Sequence, residues 1–142
     1  MLKTLPFAAL LFVSSCASWA PVQHAPRPVT SSNISEDLMR LVMTAREWRP
    51  LKIDVKETFA VFSYVGSYGV TTVTLPFGEV KKIELLSNKG KDWDVDVLDA
   101  KGERLYRYLA GDEAKAREFV DVLTVMTQPT VSGVAPAAVK QL

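Results

Sequence analysis

Between Leu51 and Leu109 the hydrophobic period of the chain is two, and this restricts the fold more than any other feature. Leu51, Ile53 and Val55 alternate with Lys52, Asp54 and Lys56, the pattern of a half-buried strand. Residues 59–65 form a second run, closed by Gly66-Ser67-Tyr68-Gly69, and β-branched residues 70–75 lead back from that turn. Pro76 and Gly78 punctuate before residues 80–86, where Val80, Ile83 and Leu85 form the inward set. Asn88-Lys89-Gly90-Lys91 turns the chain into residues 93–98, and Asp99-Ala100-Lys101-Gly102 turns it into 103–109. Clusters of Gly, Asn, Asp and Lys between apolar runs mark tight turns. The expectation is about six short strands.

A helical period flanks the strands on both sides. Ser35 is read as an N-cap, Glu36 and Asp37 place negative charge in the first turn, and Leu38, Leu41, Val42, Ala45 and Trp48 fall on one stripe before Pro50. This spacing predicts a helix over about 36–49. Gly111 and Asp112 open a second helix with Ala116, Phe119, Val120, Leu123 and Met126 on one face, ending before Pro129. The chain therefore reads as α+β: an antiparallel β-meander or partly open barrel of about six strands, with an N-terminal helix and a C-terminal amphipathic helix. One globular domain over 35–127 is expected, followed by a disordered tail, 128–142, without apolar period.

That patterning resembles the pleckstrin-homology-like (PH-like) barrel, a meander closed by one C-terminal helix. The residues that carry it are "LPFGEVKKIELL", "WDVDVLDAKGERLYRYL" and "DEAKAREFVDVLTVM". The additional N-terminal helix and the count of six strands rather than seven depart from the family pattern.

Residues 1–15 are of a different kind. Lys3 is followed by a nine-residue apolar run, LPFAALLFV, then Ser14 and Ser15 before Cys16, the chain's single cysteine. This is the layout of a secretory signal, and the run is far short of the roughly 20 residues needed to span a bilayer. Val13-Ser14-Ser15-Cys16 resembles the lipobox of bacterial lipoproteins. The resemblance implies cleavage before Cys16, a diacylglyceryl group on its thiol, and acylation of the new N-terminus. With Ala17 and Ser18 following Cys16, it further favours the outer membrane, facing the periplasm. Residues 16–34, with prolines at 21, 26 and 28, read as a flexible linker on which the domain stands away from the membrane.

Charge and cysteine count bound the chemistry. The chain carries 17 Lys and Arg against 16 Asp and Glu, and loss of Lys3 with the signal brings the two to parity. Nothing in that balance points to nucleic acid. With Cys16 acylated, no thiol remains for a disulfide, a zinc site or nucleophilic catalysis. The one histidine, His24, falls in the expected linker, outside the domain. No cofactor and no metal is expected.

Three sets of side chains merit weighing as sites. Asp92, Asp94, Asp96 and Glu103 match positions of a calcium loop, but Val97 stands where such a loop needs glycine. Trp93, Val95 and Val97 instead alternate as the inner face of a strand, which leaves the carboxylates as solvated groups. Lys81, Lys82, Lys89 and Lys91 are read as lying around one turn, either as a wet rim or as a contact for headgroup phosphates. Tyr64, Tyr68, Tyr106 and Tyr108 are read either as half-buried packing or as a surface for a partner, with Tyr68, at a turn tip, the most exposed candidate for binding. The functional expectation is a non-catalytic, membrane-anchored envelope lipoprotein that binds another envelope protein or supports an assembly. The alternatives are a module that binds a lipid, headgroup or glycan, and a hydrolase working through carboxylates or serine.

Overall fold

A computed structural model describes residues 18–128. Cys16, the signal segment 1–15 and residues 129–142 of the expected tail lie outside the described residues. Within them the order is β1 (Trp19–Val22), α1 (Ile34–Met43), β2 (Lys52–Val55), β3 (Phe59–Gly66), β4 (Gly69–Pro76), a 3-10 turn (Phe77–Glu79), β5 (Lys82–Asn88), β6 (Asp92–Leu98), β7 (Arg104–Leu109) and α2 (Glu113–Thr127). The α+β class follows from the sequence as expected, and β2 to β7 are the six anticipated strands. All pairings are antiparallel and divide into two sheets, β1-β5-β6-β7 and β2-β3-β4. No ladder joins the sheets among the described residues, so the barrel is open.

A seventh strand comes from the segment expected to be a linker. Trp19–Val22 runs antiparallel to β5, with Trp19 opposite Asn88 and Val22 opposite Leu85. Proline content argues against a strand here, but Pro21 sits on an edge strand, where a missing N–H interrupts no interior ladder. Val22 and Val29 pack against the core. Further along the same segment, His24 and Arg27 bind the side of α2. The expected tether is thus docked onto the domain through much of its described length.

Helix α1 also differs from its expected bounds. Asn33, rather than Ser35, is the N-cap, its side chain accepting the Glu36 N–H at 3.2 Å. The helix ends at Met43, six residues before Arg49. Thr44 Oγ1 donates to Arg40 O at 2.7 Å, and the Arg46 N–H is taken by Leu109 O of β7 at 2.9 Å. This tertiary bond replaces the next helical one, so Trp48 leaves the apolar stripe.

The core lies between the sheets and the two helices. Phe62 of β3 packs tilted against Tyr106 of β7 at 4.7 Å between ring centroids, and Tyr108 stacks on Phe119 of α2 at 4.2 Å. Leu38, Leu41 and Val42 of α1 close one side, and the Tyr108 hydroxyl donates to Leu41 O at 2.8 Å. Each such buried apolar side chain contributes roughly 1.5–3 kcal/mol relative to exposure. Helix α2 matches its expected face and begins at Asp112, whose side chain accepts the Lys115 N–H at 2.8 Å.

Between β7 and α2 the chain must pass Arg46 closely. Gly111 has φ 86°, and a Cβ there would lie 2.9 Å from Arg46 Cβ. Only glycine meets both conditions without displacement.

Candidate functional site

Because β7 has no strand on its outer side, the two sheets part there and leave a cleft of about 1050 Å³. Its floor is aromatic: the Tyr64 and Tyr106 hydroxyls lie 3.1 Å apart. Burial raises the pKa of both phenols above the usual value, so both are neutral and act as hydrogen-bonding groups. Thr71 and Val73 of β4 form one wall, and Arg104, Leu105, Arg107 and Leu109 of β7 the other.

Trp48 and Arg49 stand over this opening. Trp48 is 72% exposed, has φ 60°, and meets Tyr64 edge to face at 6.3 Å. Left-handed backbone at a bulky residue costs on the order of 1 kcal/mol, and such strain concentrates at sites of function. The Arg49 Nε–H donates to Ala45 O at 2.6 Å, which directs the side chain without neutralising it.

The arginines of β7 share a face through an irregularity. Three residues apart, Arg104 and Arg107 would project oppositely from a regular strand. The register shifts, however: Tyr106 pairs with Val97 and Arg104 with Leu98, leaving Leu105 as a bulge. Both arginines therefore lie on the face of Asp94 and Asp96. Arg107 forks onto Asp96 at 2.6 and 2.7 Å, whereas Arg104 reaches it only at 3.7 Å. Arg46 pairs with Asp92 at 3.1 Å.

These pairs correct the expectation of solvated strand carboxylates. Asp94 is 3% exposed, Asp96 is buried, and Asp94 Oδ1 has no hydrogen-bond partner. Burial pushes the Asp94 carboxyl up to about 6; Arg107 and Arg46 oppose this, while Asp92 and Asp96 add to it. Among the described residues no group of three or more His, Cys, Asp or Glu could hold a metal ion.

The structure separates the four lysines that the sequence groups around one turn. Lys81 and Lys82 lie at the start of β5, and Lys89 and Lys91 beyond its far end. Six strand steps, about 20 Å, lie between the pairs, and Lys82 is further engaged by Glu84 at 3.3 Å. Tyr68 is fully exposed at the β3–β4 hairpin tip, as expected, beside exposed Val65 and Val70. It does not line the cleft.

His24 was placed outside the domain by its proline-rich context, yet its side chain is 6% exposed, against α2. Its Nδ1 lies 2.8 Å from Arg117, and its Nε2 lies 2.7 Å from Asp121 Oδ1. A guanidinium only donates, so Nδ1 accepts and Nε2–H donates to Asp121. Both ring nitrogens are thereby occupied, leaving neither to act as a base. Arg27 adds its N–H to the same Asp121 oxygen at 2.9 Å and its Nε–H to the other at 3.2 Å. The cluster is a clasp that fastens the N-terminal segment to α2.

Sequence reasoning missed Trp48, Arg49, Arg104 and Arg107 as a group, because they meet only where two sheets fail to join. The proline immediately after Trp48-Arg49 was the one local signal that the helix had to end nearby. No helix of the described residues is long and apolar enough to cross a membrane. No family model matches this chain, and no curated protein or solved structure matches it either.

Proposed function

We propose that this chain is a lipid-anchored envelope protein whose domain, a partly open PH-like fold, is a non-catalytic module that binds another protein in the cleft beside β7. The observation that carries the reading is Trp48, a large aromatic held exposed on left-handed backbone over an arginine-lined opening. Exposed aromatic and arginine side chains gathered at an unfilled cleft are the residue types that dominate protein interfaces. The anchor rests on Lys3, the apolar run and Val13-Ser14-Ser15-Cys16. Headgroup binding by the lysines is less well supported, since they stand at opposite ends of β5.

Two experiments test the two parts. The intact mass of the membrane-extracted protein is expected to equal residues 16–142 plus a diacylglyceryl group, with or without a third chain; an unmodified mature chain overturns the anchor. For the module, a photo-crosslinking residue is placed in living cells at Val73, inside the cleft, or at Thr74, the next residue and on the opposite face. Discrete adducts from Val73 alone, lost when Trp48→Gly is added, are expected. Equal adducts from both positions, or none from Val73, refute the cleft as the binding site.

A further inference from the structure

The geometry points to an occupant for the cleft: an extended peptide segment that lies along β7 as an added strand, with acidic residues alternating with apolar ones. This deepens the reading given above and rests on it.

The first argument is the edge itself. Residues of both faces of β7 line the cleft, Tyr106 from the inner face and Arg104 and Arg107 from the outer one. A strand shows both faces to one cavity only when its edge opens into that cavity. Arg46 N–H takes Leu109 O, and no other backbone partner meets β7 on this side among the described residues. Unpaired edges are templates for another strand, and folded proteins ordinarily cover them. The other margin of this sheet is β1, a four-residue edge strand interrupted by Pro21, which has no N–H to offer a further strand. Residues 104–109 of β7 carry no proline, so β7 is the margin better able to receive one.

The second argument is charge. An added strand alternates its side chains between the two faces. On the outer face it meets Arg104 and Arg107, of which Arg107 is satisfied by Asp96 while Arg104 is only loosely held. Arg49, at the mouth, has no carboxylate within ion-pair distance among the described residues. Two guanidinium groups are thus available to carboxylates, which they recognise with forked geometry. On the inner face the strand meets Tyr64, Tyr106 and Val73 beneath Trp48, an aromatic and aliphatic surface. The bulge at Leu105 limits the new ladder to a few residues, so selectivity falls to these side chains.

The test uses short synthetic peptides in which glutamate alternates with valine or tyrosine, titrated into the folded full chain and followed by amide resonances. Saturable binding is expected, with the Arg107 amide shifting and becoming protected from solvent exchange. Replacing every glutamate by lysine is expected to abolish it. Methylating alternate peptide nitrogens distinguishes strand addition from simple burial: one of the two phases loses binding and the other keeps it, because only every second N–H faces β7. Arg104→Glu is expected to weaken binding about tenfold, as loss of one charge-assisted contact does. Trp48→Gly relieves backbone strain but loses the contact with Tyr64, so its thermal unfolding is measured beside binding; lost binding with unchanged unfolding is the expected result.

Equal binding of the lysine peptide, equal behaviour of both methylated phases, or no binding at all overturns the proposal. Displacement of the peptide by phosphatidylglycerol vesicles, with vesicle binding that depends on Arg104, replaces the peptide by a membrane and likewise overturns it. Failure here with persistent adducts at Val73 refutes only the peptide class, whereas absence of those adducts refutes the binding module itself.

Discussion

Replacing Asp94 by asparagine probes a carboxyl that is buried on β6 with an oxygen left unpartnered. Its pKa moves from 3.8 to about 6. A carboxyl whose folded pKa lies above its unfolded one binds its proton more tightly in the folded protein. The stability it contributes is therefore present at low pH and is lost as pH rises from about 4 to about 6. A displacement of about two in pKa corresponds to roughly 3 kcal/mol, so at neutral pH the ionised carboxylate opposes folding by about that amount. Asparagine cannot ionise and removes the dependence. Urea unfolding of both proteins at several pH values is the assay, and the quantity read is the stability of Asp94→Asn minus that of the parent. Whatever the amide gains or loses by its own contacts is a constant offset. The difference is expected to rise in favour of asparagine by about 2–3 kcal/mol between pH 4 and pH 7, then to level off. A flat difference shows that burial does not govern this group. A falling one shows that Arg107 and Arg46 together outweigh burial, and either result would refute the reasoning.

Other expectations follow from single contacts. Tyr108→Phe removes the shortest bond to Leu41 O, which keeps its 3.3 Å contacts from the Thr44 N–H and Oγ1, and should lower stability by about 1 kcal/mol in denaturant unfolding. Gly111→Ala should be destabilising by more than about 1 kcal/mol, since it adds left-handed strain to a clash with Arg46; an unchanged melting temperature would show that Arg46 yields freely. His24→Ala unfastens the N-terminal segment and leaves Asp121 with Arg27 alone. Faster hydrogen exchange is expected in β1 than in β6, and uniform acceleration would mean that the segment and the domain open as one unit.

Legibility from sequence was uneven for physical reasons. Strands β2 to β7 were readable because each alternates and ends at a turn, information contained within about ten residues. Helix α2 was readable for the same local reason. The end of α1 was not, since Ala45 and Trp48 continue the helical spacing while a backbone bond from Arg46 to Leu109, distant in sequence, diverts the chain. Strand β1 was hidden by Pro21 and by the prolines that follow it, since an edge tolerates such a residue but composition reads the run as linker. Asp94 and Asp96 were assigned to solvent by alternation, correctly as to face. What alternation cannot show is that arginines of β7 and the loop after α1 cover that face. The cleft is further from sequence still, because it arises from a pairing that does not form.

The placement of β1 has a consequence for how the molecule would stand on a bilayer. Three residue steps separate Cys16 from Trp19, a reach of at most about 10 Å. With the proposed lipid on Cys16, the sheet would be tethered at the Trp19 end of β1, like a page held at one corner. In the order β1-β5-β6-β7 the free margin is the far edge of that page, about 14 Å across at strand spacing. Such an anchor would do more than localise the protein. It would leave Arg104, near the diagonally opposite corner of the sheet, as the end of the open margin farthest from the attachment, where the partner segment would approach.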